Sequence, residues 1–587
     1  MSGPRLFVDI QTIQSLGHSD RGIPRFATDL SCALLAAGAP VAALALNPLV
    51  PWPQRLHPDL ARAPQLTWNT ATAFRRALSG GPLVYLVVSP FELNRPVHGV
   101  QGAHIVDVPR VAVVHDLIPH LFPDLFGFAD KEGNFPRRYA RRVETIRESD
   151  LVLTPSESTR RDVIEHWGIP PEKITVVGEA GSPFFVPADS PDQPADLLER
   201  ELPEVTPPFV LSVSGREPHK NTESLIEAWA RLPPSVRDAY QLVITCRLTE
   251  DDRRRWTQRA ESLRIGPREL VITGYVEDTV LRALYQTASL FVFPSRYEGF
   301  GLPILEAIQC GCPAISSNTS SLPEVLDWPE ATFHPTDPDA IAGLIERALT
   351  NDAYRGELTV RGRRAAERHT WPHVVERVLA ACARFSDQPP RRPPRLRIAL
   401  VGPFPPARSW SAGYNAQLAE HLAPYCDLDC FADPADARAL GPRTRGFRMF
   451  PADAFGHALS PGAYDLVLYT IGPTRDTAYR LLTRTYPGVV WLHDLTLADR
   501  ELLGRALGVI VDSSAARVRL EDAGLGDKPT WELPTALSDD APRVRRPSGE
   551  RPWSFDEVAR RIVEIASVDL EPARPEQAPA PVSASVA

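Results

Sequence analysis

Short apolar runs alternate with longer segments of helical pattern along most of this 587-residue chain. Near its beginning the apolar runs are RLFVDI, GPLVYLVV, PRVAVVHD and DLVLTPS, and the first helical segment is GIPRFATDLSCALLAAG. Apolar runs of this length, separated by helices, are typical of strands buried on both faces of a parallel sheet. The alternation therefore predicts an α/β fold of doubly wound, Rossmann-like domains.

Two changes of composition divide this alternation into blocks. Residues 186–208 are rich in proline and acidic side chains, which indicates a hinge, and DQPPRRPPR at 387–395 indicates a stiff basic linker. We therefore predict one domain over residues 1–200 and a second over residues 205–385. A helix around RHTWPHVVERVLAACARF closes the second domain.

The sequence after the linker resembles the beginning of the chain. LRIALVGPFPP resembles the opening strand, and VVWLHDL, with His493 and Asp494, resembles VAVVHDL. The earlier of these segments holds His115 and Asp116. GVIVDSSAARVRLEDAGL likewise resembles LVLTPSESTRRDVIEHWGI, so the landmarks recur in order, as in an internal repeat.

The repeat is incomplete, because no counterpart of residues 209–350 follows. We predict a third, degenerate Rossmann-like domain over residues 396–567, which ends in the helix RPWSFDEVARRIVEIAS, and a disordered Pro/Ala-rich tail over residues 568–587. Because the counterpart of residues 209–350 is missing, half of the residues that would line a ligand site are absent from this repeat. We expect this region to be catalytically silent. It could serve acceptor binding, assembly or stability, or it could be an evolutionary remnant without a role of its own.

Charge and cysteine content exclude other classes of protein. The net charge of -9 argues against a protein whose affinity for nucleic acid rests on neutralising phosphates. The seven scattered cysteines suit a reducing compartment. The beginning, MSGPRLFVDIQ, has no basic-then-apolar leader, and no stretch reaches the roughly 18 apolar residues of a spanning helix. We expect a cytoplasmic protein, with peripheral contact at the inner face of the membrane as the one route to a bilayer.

The most informative segment is SLFVFPSRYEGFGLPILEAIQCGCPAI. Pro303 fits the first position of a helix and Gly311 fits a left-handed cap, so the pattern predicts a helix over about 303–310. The N-terminus of this helix follows Gly299 and Gly301 and offers free amides and a positive dipole end. We therefore predict an anion site that suits a diphosphate.

Two carboxylates flank this predicted anion site. Glu298 lies in the loop before the helix and Glu306 just inside it. A pair of glutamates eight residues apart is by itself most often solvated charge. The Gly-Phe-Gly turn, the proline and the buried strand around this pair favour a site, in which hydroxyl-rich groups on both sides of a diphosphate would satisfy the carboxylates.

Two cations lie in a second loop, within FVLSVSGREPHKNTESLIEAW, where a strand ends in Gly215 and a helix begins near Asn221. Arg216 and Lys220 would each be a surface cation if taken alone. Ligands of open α/β sheets bind at the carboxyl ends of strands, and two cations there can stabilise charge on a departing diphosphate. No divalent metal is then needed.

These residues resemble glycosyltransferase family 4, and the resemblance covers roughly residues 1–385. The family's Glu-x7-Glu motif is matched by Glu298 and Glu306, and its donor-phosphate Arg/Lys pair by Arg216 and Lys220. The resemblance implies a GT-B architecture of two facing Rossmann-like domains, here followed by a third. It also implies transfer of a hexose, with mannose as the first choice, with retention of configuration. GDP-mannose or a UDP-sugar would be the co-substrate, and no cofactor or metal is implied.

The resemblance also implies roles for single residues. Glu298 would hold hydroxyls of the transferred sugar and Glu306 the ribose hydroxyls. The amides of Phe300, Gly301 and Leu302 would bind the diphosphate.

In the first domain, RGIPRF at 21–26 and VVHDLIPHLFP at 113–123 resemble bacterial O-antigen and capsule mannosyltransferases. Gly22 would let the backbone approach the diphosphate. His115 would reach the donor sugar near the reacting carbon, although a buried histidine bonded to neighbouring backbone remains the alternative. Asp116 suits a helix cap or loop brace. A glycan or lipid-linked acceptor of cell-surface polysaccharide biosynthesis is implied as the partner.

Several other features favour ordinary structural interpretations. Cys310 and Cys312 lack a second pair of ligands and fit packing at a helix end, so we predict no metal. The acidic segment 337–339 fits a helix cap. The arginine-rich segment 137–148 favours a solvated helix face over contact with anionic lipid headgroups.

Two other classes of function remain open at this stage. A sugar phosphorylase or nucleotide-sugar hydrolase would use the same fold and a similar cleft. A non-catalytic scaffold of a polysaccharide assembly complex would use the truncated second unit for docking, although an intact first site argues against it.

Overall fold

The computed structural model describes most of the chain. The described residues are 3–14, 22–46, 53, 56–67, 77, 80–91, 108–123, 134–387, 396–407, 409–440, 443–444, 446–452, 464–471, 488–492, 503, 506–522, 529–533 and 554–566. His493, Asp494, the predicted tail and nearly all of the predicted linker lie outside these residues.

The strands of the described residues are short, and most are fully buried, as the apolar runs predict. They are β1 (Arg5–Asp9), β2 (Val41–Ala45), β3 (Leu66–Thr67), β4 (Leu83–Val87), β5 (Arg110–Val113), β6 (Leu151–Thr154), β7 (Ile174–Val176), β8 (Phe209–Val213), β9 (Gln241–Thr245), β10 (Leu270–Gly274), β11 (Leu290–Phe293), β12 (Ala314–Ser317), β13 (Thr332–Phe333), β14 (Arg397–Val401), β15 (Asp427–Ala432), β16 (Arg443–Thr444), β17 (Phe447–Pro451), β18 (Leu466–Ile471), β19 (Val489–Leu492), β20 (Gly508–Val511) and β21 (Thr530–Glu532).

Helices connect these strands. They are α1 (Ile23–Ala36), α2 (Pro58–Arg62), α3 (Ile118–Leu121), α4 (Asn134–Arg147), α5 (Glu157–Trp167), α6 (Asp192–Glu201), α7 (Thr222–Arg231), α8 (Pro234–Arg237), α9 (Glu250–Ser262), α10 (Asp278–Thr287), α11 (Leu302–Gln309), α12 (Leu322–Leu326), α13 (Pro338–Thr350), α14 (Asp352–Arg368), α15 (Trp371–Cys382), α16 (Trp410–Leu422), α17 (Pro434–Leu440), α18 (Ser514–Asp522) and α19 (Phe555–Ala566).

Three sheets result from this alternation. Their strand orders are β3-β2-β1-β4-β5-β6-β7, β10-β9-β8-β11-β12-β13 and β16-β17-β15-β14-β18-β19-β20-β21. All strand pairs of the second sheet are parallel, and in the third sheet only β16 and β17 are antiparallel. The prediction of an α/β fold with three Rossmann-like sheets is therefore confirmed.

The third sheet repeats the strand order of the first. With the edge strand β16 set aside, β14 to β21 are arranged as β1 to β7 are, and each order reverses direction beside its first strand. The last described helix, α19, packs against α16. The chain divides into two compact units, one of residues 1–31, 40–111 and 382–587 and the other of residues 32–39 and 112–381. The domain limits given above stay predictions.

The predicted hinge is partly helical. Helix α6 lies within residues 186–208 and packs against α10, and its Leu198 is buried. Its hydrophobic positions were obscured by the surrounding prolines and acids, which dominate the composition of the segment. The segment therefore contains a packed helix, and its role as a hinge between two domains stays a prediction.

The described helices include no candidate for a bilayer span, since none is both long enough and apolar enough.

Candidate active site

The site lies where the order of the second sheet reverses, between β8 and β11. These strands are parallel neighbours, so their carboxyl ends open onto the same edge of the sheet. The loop after β8 leads to Lys220, and the loop after β11 leads to Glu298. Because ligands of open α/β sheets bind at such a switch point, the topology itself brings the two predicted loops together.

Lys220 and Glu298 form an ion pair across this edge. Lys220 Nζ donates to both carboxylate oxygens of Glu298, at 2.7 and 3.0 Å. The side chains are 24% and 10% exposed, so water screens the pair only partly. Two of the residues predicted from sequence therefore converge, although they are far apart in the chain.

Asn221 holds Lys220 in place and was not recognised from the sequence as a functional residue. It has a left-handed backbone conformation, with φ 59°, and is buried. Its side-chain Nδ2 donates to the carbonyls of Pro294 and Pro335, at 3.0 and 2.6 Å. Asparagine tolerates this conformation better than most residues, and its bonds tie the Lys220 loop to the loop that follows β11.

Hydroxyl groups hold the backbone of the Glu298 loop. Ser320 Oγ accepts from the amide of Glu298 at 2.9 Å. Ser321 Oγ contacts the carbonyls of Glu298 and Phe300, at 3.0 and 2.8 Å, as their hydrogen-bond donor. Serines of the segment before α12 therefore hold the backbone on both sides of Gly299.

Gly299 lies against the end of β5. A Cβ atom at this position would overlap the carbonyl oxygen of His115, so no larger residue fits without a shift of backbone. The carbonyl of Gly299 accepts from Ser156 Oγ at 2.7 Å and from Thr159 Oγ1 at 3.1 Å. The strand end that carries His115 and the loop that carries Glu298 are thus in direct contact.

His115 is buried and pairs with an acid. Its Nδ1 is 3.0 Å from Oε1 of Glu179, and both side chains are almost fully buried. A carboxylate at this distance orients the imidazole ring and fixes its tautomer. Asp116 braces the loop, because its Oδ1 accepts from the amide of Ile118 at 2.8 Å, as the sequence predicts.

Helix α11 begins at Leu302 with proline in its first turn, and Gly311 just beyond it has φ 85°, in agreement with the sequence. Gly301 precedes it with φ 116°. Among the residues that the structure describes, none accepts a hydrogen bond from the amides of Phe300, Gly301 or Leu302. These three donors fit an anion at the helix N-terminus.

Glu306 is buried within α11. Tyr285, itself fully buried, donates its hydroxyl to Glu306 Oε2 at 3.1 Å. Burial, followed by the Glu306 charge, raises the pKa of the Tyr285 hydroxyl well above its usual range. The carboxylate is therefore held by a tyrosine that stays protonated as a donor.

Arg216 takes a different position from Lys220. Its side chain is 58% exposed, and its Nε is 3.9 Å from Glu217 Oε1. The structure gives it no contact with Glu298 within the described part of the chain. Gly215 precedes it, and Gly22 lies before α1 with φ 61° in the other compact unit. The roles of Arg216, Gly215 and Gly22 in donor binding stay predictions.

His219 was missed by the sequence analysis. It is 3% exposed, and its Nδ1 has no hydrogen-bond partner in the described structure. Its ring packs on Phe122 with the centroids 5.8 Å apart. Burial, followed by the charge of Lys220, lowers the pKa of His219. A single histidine beside a lysine has no sequence signal that would single it out.

The predicted helix cap at residues 337–339 and the predicted packing of two cysteines are confirmed. Asp337 caps α13, since its Oδ1 accepts from the amides of Asp339 and Ala340 at 3.0 and 3.1 Å. Cys310 and Cys312 are buried at the end of α11, and burial raises the pKa of the Cys310 thiol to about 12. The arginine-rich segment forms part of α4, and its solvated face stays a prediction.

Comparisons with known proteins agree with this geometry. Residues 196–366 match the family model of Glycosyl transferases group 1, and residues 21–179 match that of Glycosyltransferase Family 4. The sheets, the switch-point site and these matches define a glycosyltransferase of the GT-B class, with an additional Rossmann-like sheet. The two matched segments together make up more than half of the sequence. The chain therefore contains a region that matches each of these two glycosyltransferase domain models.

Similar curated proteins come from Escherichia coli. The serotype-specific mannosyltransferase WbdA is 32% identical over 52% of this chain and 37% of its own length. The O-antigen chain mannosyltransferase B is 34% identical over 40% of this chain and 61% of its own length. The chain thus spans about a third of WbdA and less than two thirds of the second relative.

Among solved structures, sucrose-phosphate synthase from Thermosynechococcus elongatus has a TM-score of 0.47 and 21% identity, covering 64% of this chain and 97% of that chain.

Proposed function

We propose that the protein transfers a hexose from a nucleotide-sugar donor to a glycan or lipid-linked acceptor of a cell-surface polysaccharide, with retention of configuration. GDP-mannose is the first choice of donor. The observation that carries the proposal lies at one sheet edge. The Glu298 carboxylate and the Lys220 ammonium converge there with three amides that have no acceptor among the described residues. The names of the two curated relatives support mannose as the sugar and an O-antigen type of product.

The chemistry of the leaving group supports this proposal. Departure of a nucleoside diphosphate places negative charge on its oxygens, and preorganised donors at that position lower the barrier. In the proposal, Lys220 and the amides of residues 300–302 bind these oxygens. Arg216 would join them after a change of side-chain rotamer, which its exposure allows. With these charges in place, no divalent metal is required.

In the proposal, the two carboxylates recognise hydroxyl groups of the donor. Glu298 would accept hydrogen bonds from hydroxyls of the transferred sugar, and Glu306 from those of the ribose. His115 would contact the sugar near the reacting carbon, with its ring fixed by Glu179. No carboxylate nucleophile is assigned at the anomeric carbon, so the family resemblance implies a same-face displacement instead of a double displacement.

The direct test measures transfer with the purified protein. A panel of GDP- and UDP-sugars is first screened for a rise in melting temperature, since a bound donor stabilises the folded state. The best donor is then incubated with and without glycan acceptors, and the products are analysed. Release of free sugar regardless of acceptor would indicate a hydrolase, and formation of a sugar phosphate with added phosphate would indicate a phosphorylase.

Variants connect the activity to the site. Glu298→Gln keeps the shape of the side chain and removes its charge, and we expect kcat to fall about 100-fold with folding intact. Glu357→Gln is the matched control, because it removes one partner of an exposed pair with Arg361. Undiminished turnover in Glu298→Gln would refute the role of Glu298, and strict dependence on manganese or magnesium would refute the metal-free mechanism.

A further inference from the structure

The N-terminus of α5 is bonded to two segments that lie more than 140 residues further along the chain. Ser156 is the N-cap, and its Oγ accepts from the amide of Thr159 at 3.0 Å. The same hydroxyl donates its proton to the carbonyl of Gly299 at 2.7 Å. One side chain therefore caps the helix and bonds the loop that carries Glu298.

The remaining amides of this helix end are also occupied. The carboxylate of Glu324 accepts from the amides of Glu157 and Ser158, each at 2.8 Å. A carboxylate at a helix N-terminus is stabilised by the dipole and by charge-assisted hydrogen bonds. This helix end is therefore an anchor for the chain itself, with no free amide among these positions for a ligand.

Thr159 adds a second hydroxyl that joins α5 to the Glu298 loop, and we call this pair of hydroxyls, Ser156 and Thr159, the bridge. Its Oγ1 is 3.1 Å from the carbonyl oxygen of Gly299 and 3.4 Å from that of His115. Both Ser156 and Thr159 are almost fully buried, so water does not compete for these bonds. The two hydroxyls fix the backbone of Gly299 relative to the backbone of His115.

We propose that Ser156 is a positioning residue that sets the place of the Glu298 carboxylate through the carbonyl of Gly299. The inference rests on the proposed function, in which Glu298 binds hydroxyls of the donor sugar. Gly299 directly follows Glu298, and the Gly299 carbonyl accepts from two hydroxyls of α5. Without the Ser156 bond the carbonyl of Gly299 keeps Thr159 as its one donor from α5, so this side of the loop is held less firmly and the Glu298 carboxylate samples orientations that miss the sugar.

A positioning role predicts that loss of Ser156 lowers kcat without changing the affinity for the nucleoside diphosphate. Ser156→Ala removes one neutral hydrogen bond near the reacting sugar, so we expect kcat to fall about five- to tenfold. Affinity for the free nucleoside diphosphate should not change, because Lys220 and the amides of residues 300–302 are untouched. Ser156→Thr keeps the hydroxyl and should restore kcat to within about twofold of wild type.

Loss of the helix cap needs its own control. Asn351 caps α14 with the same geometry, since its Oδ1 accepts from the amide of Tyr354 at 3.0 Å. Asn351→Ala removes a cap of equal kind and should leave kcat unchanged. Thr159→Val is a second variant of the bridge, which removes the hydroxyl at constant shape and should lower kcat in the same direction as Ser156→Ala.

The experiment uses the full chain and whichever of GDP-mannose, UDP-glucose and UDP-galactose gives turnover with the wild type. Cooperative unfolding of each variant is checked first. Kinetic constants are then measured for that donor, together with the affinity for its free nucleoside diphosphate. If the wild type turns over none of the three donors, the proposed function itself fails, and this inference with it.

If the wild type is active, the outcomes separate cleanly. A kcat defect in Ser156→Ala with unchanged nucleoside diphosphate affinity, and its rescue by Ser156→Thr, supports the inference. Wild-type kcat in Ser156→Ala, an equal loss in Asn351→Ala, or a parallel loss of nucleoside diphosphate affinity overturns it and leaves the proposed function standing.

Discussion

Lys220 Nζ lies within 3.0 Å of both carboxylate oxygens of Glu298, so the two predicted ligands of the donor neutralise each other in the free protein. In the proposed function, binding of a diphosphate would draw Lys220 away from this pair, and hydroxyls of the bound sugar would take its place beside Glu298. The ion pair would then hold both groups close to the donor site before the donor binds.

Removal of one partner of this pair should destabilise the protein. Lys220→Met leaves the Glu298 carboxylate, only 10% exposed, without its counter-charge, and we expect the free energy of unfolding to fall by about 1 to 3 kcal/mol. The double variant Lys220→Met/Glu298→Gln should recover most of this loss and remain inactive. Urea unfolding and turnover measured on all three variants check this double-mutant cycle. Equal stability of Lys220→Met and wild type would contradict it.

The convergence of Lys220 and Glu298 could be predicted because both follow strands that the apolar runs reveal. The switch point between β8 and β11 then places their loops at one edge. The backbone conformation at Gly311 followed from the chemistry of glycine in the same way.

The supports of the site could not be predicted. Ser156 and Gly299 are bonded over a separation of 143 residues, and single serines or threonines carry no periodicity that marks such a contact. The orientation of Arg216 also escaped prediction, because sequence indicates the loop and leaves the rotamer of an exposed side chain open. The helix in the predicted hinge was hidden by its prolines.

Gly299 should not tolerate a side chain. A Cβ would overlap the carbonyl oxygen of His115, so Gly299→Ala must displace either the Glu298 loop or the end of β5. We expect kcat to fall about 100-fold, together with a loss of stability of about 1 to 3 kcal/mol. Gly343→Ala is the matched control, since nothing lies within 4 Å of its Cβ position inside α13, where alanine should stabilise the helix. Turnover and urea unfolding of both variants provide the comparison, and normal activity of Gly299→Ala would show that the loop can shift freely.

The stability of the protein should depend on His369. Its ring packs edge-on against Phe300, and burial, followed by the charge of Arg368, lowers the pKa of His369 to about 4. The unfolded chain binds this proton near pH 6.5, so the unfolded state holds more protons between pH 6.5 and 4. Stability present above pH 6.5 is therefore lost as the pH falls towards 4, by at most about 3 kcal/mol.

Comparison of two variants isolates this contribution. Urea unfolding at pH 7.5 and pH 4.5 should show a smaller difference for His369→Leu than for wild type. His373→Leu, at an exposed position of α15, should keep the wild-type difference. The carboxylates titrate alike in all three proteins and cancel in the comparison. An unchanged difference in His369→Leu would mean that His369 is protonated equally in the folded and unfolded states.

The third sheet contains a buried charge network, and removal of its charge tests whether this region contributes to catalysis. Asp429 is fully buried and accepts from Arg397 Nη2 at 2.8 Å, Arg448 Nε at 2.6 Å and the hydroxyl of Tyr464 at 2.6 Å. Asp429→Asn removes the charge and leaves the buried Arg397 without a counter-ion, so we expect a loss of about 3 kcal/mol from this sheet.

If the region after residue 396 is catalytically silent, this loss of stability should not change the activity. We expect Asp429→Asn to lower the first unfolding transition seen by tryptophan fluorescence while kcat stays within twofold of wild type at 25 °C. Asp556→Asn is the control, because its pair with Arg560 is exposed and exposed ion pairs contribute little to stability. A fall in kcat that follows the unfolding of the third sheet would show that the third sheet supports catalysis, and the expectation of silence would be wrong.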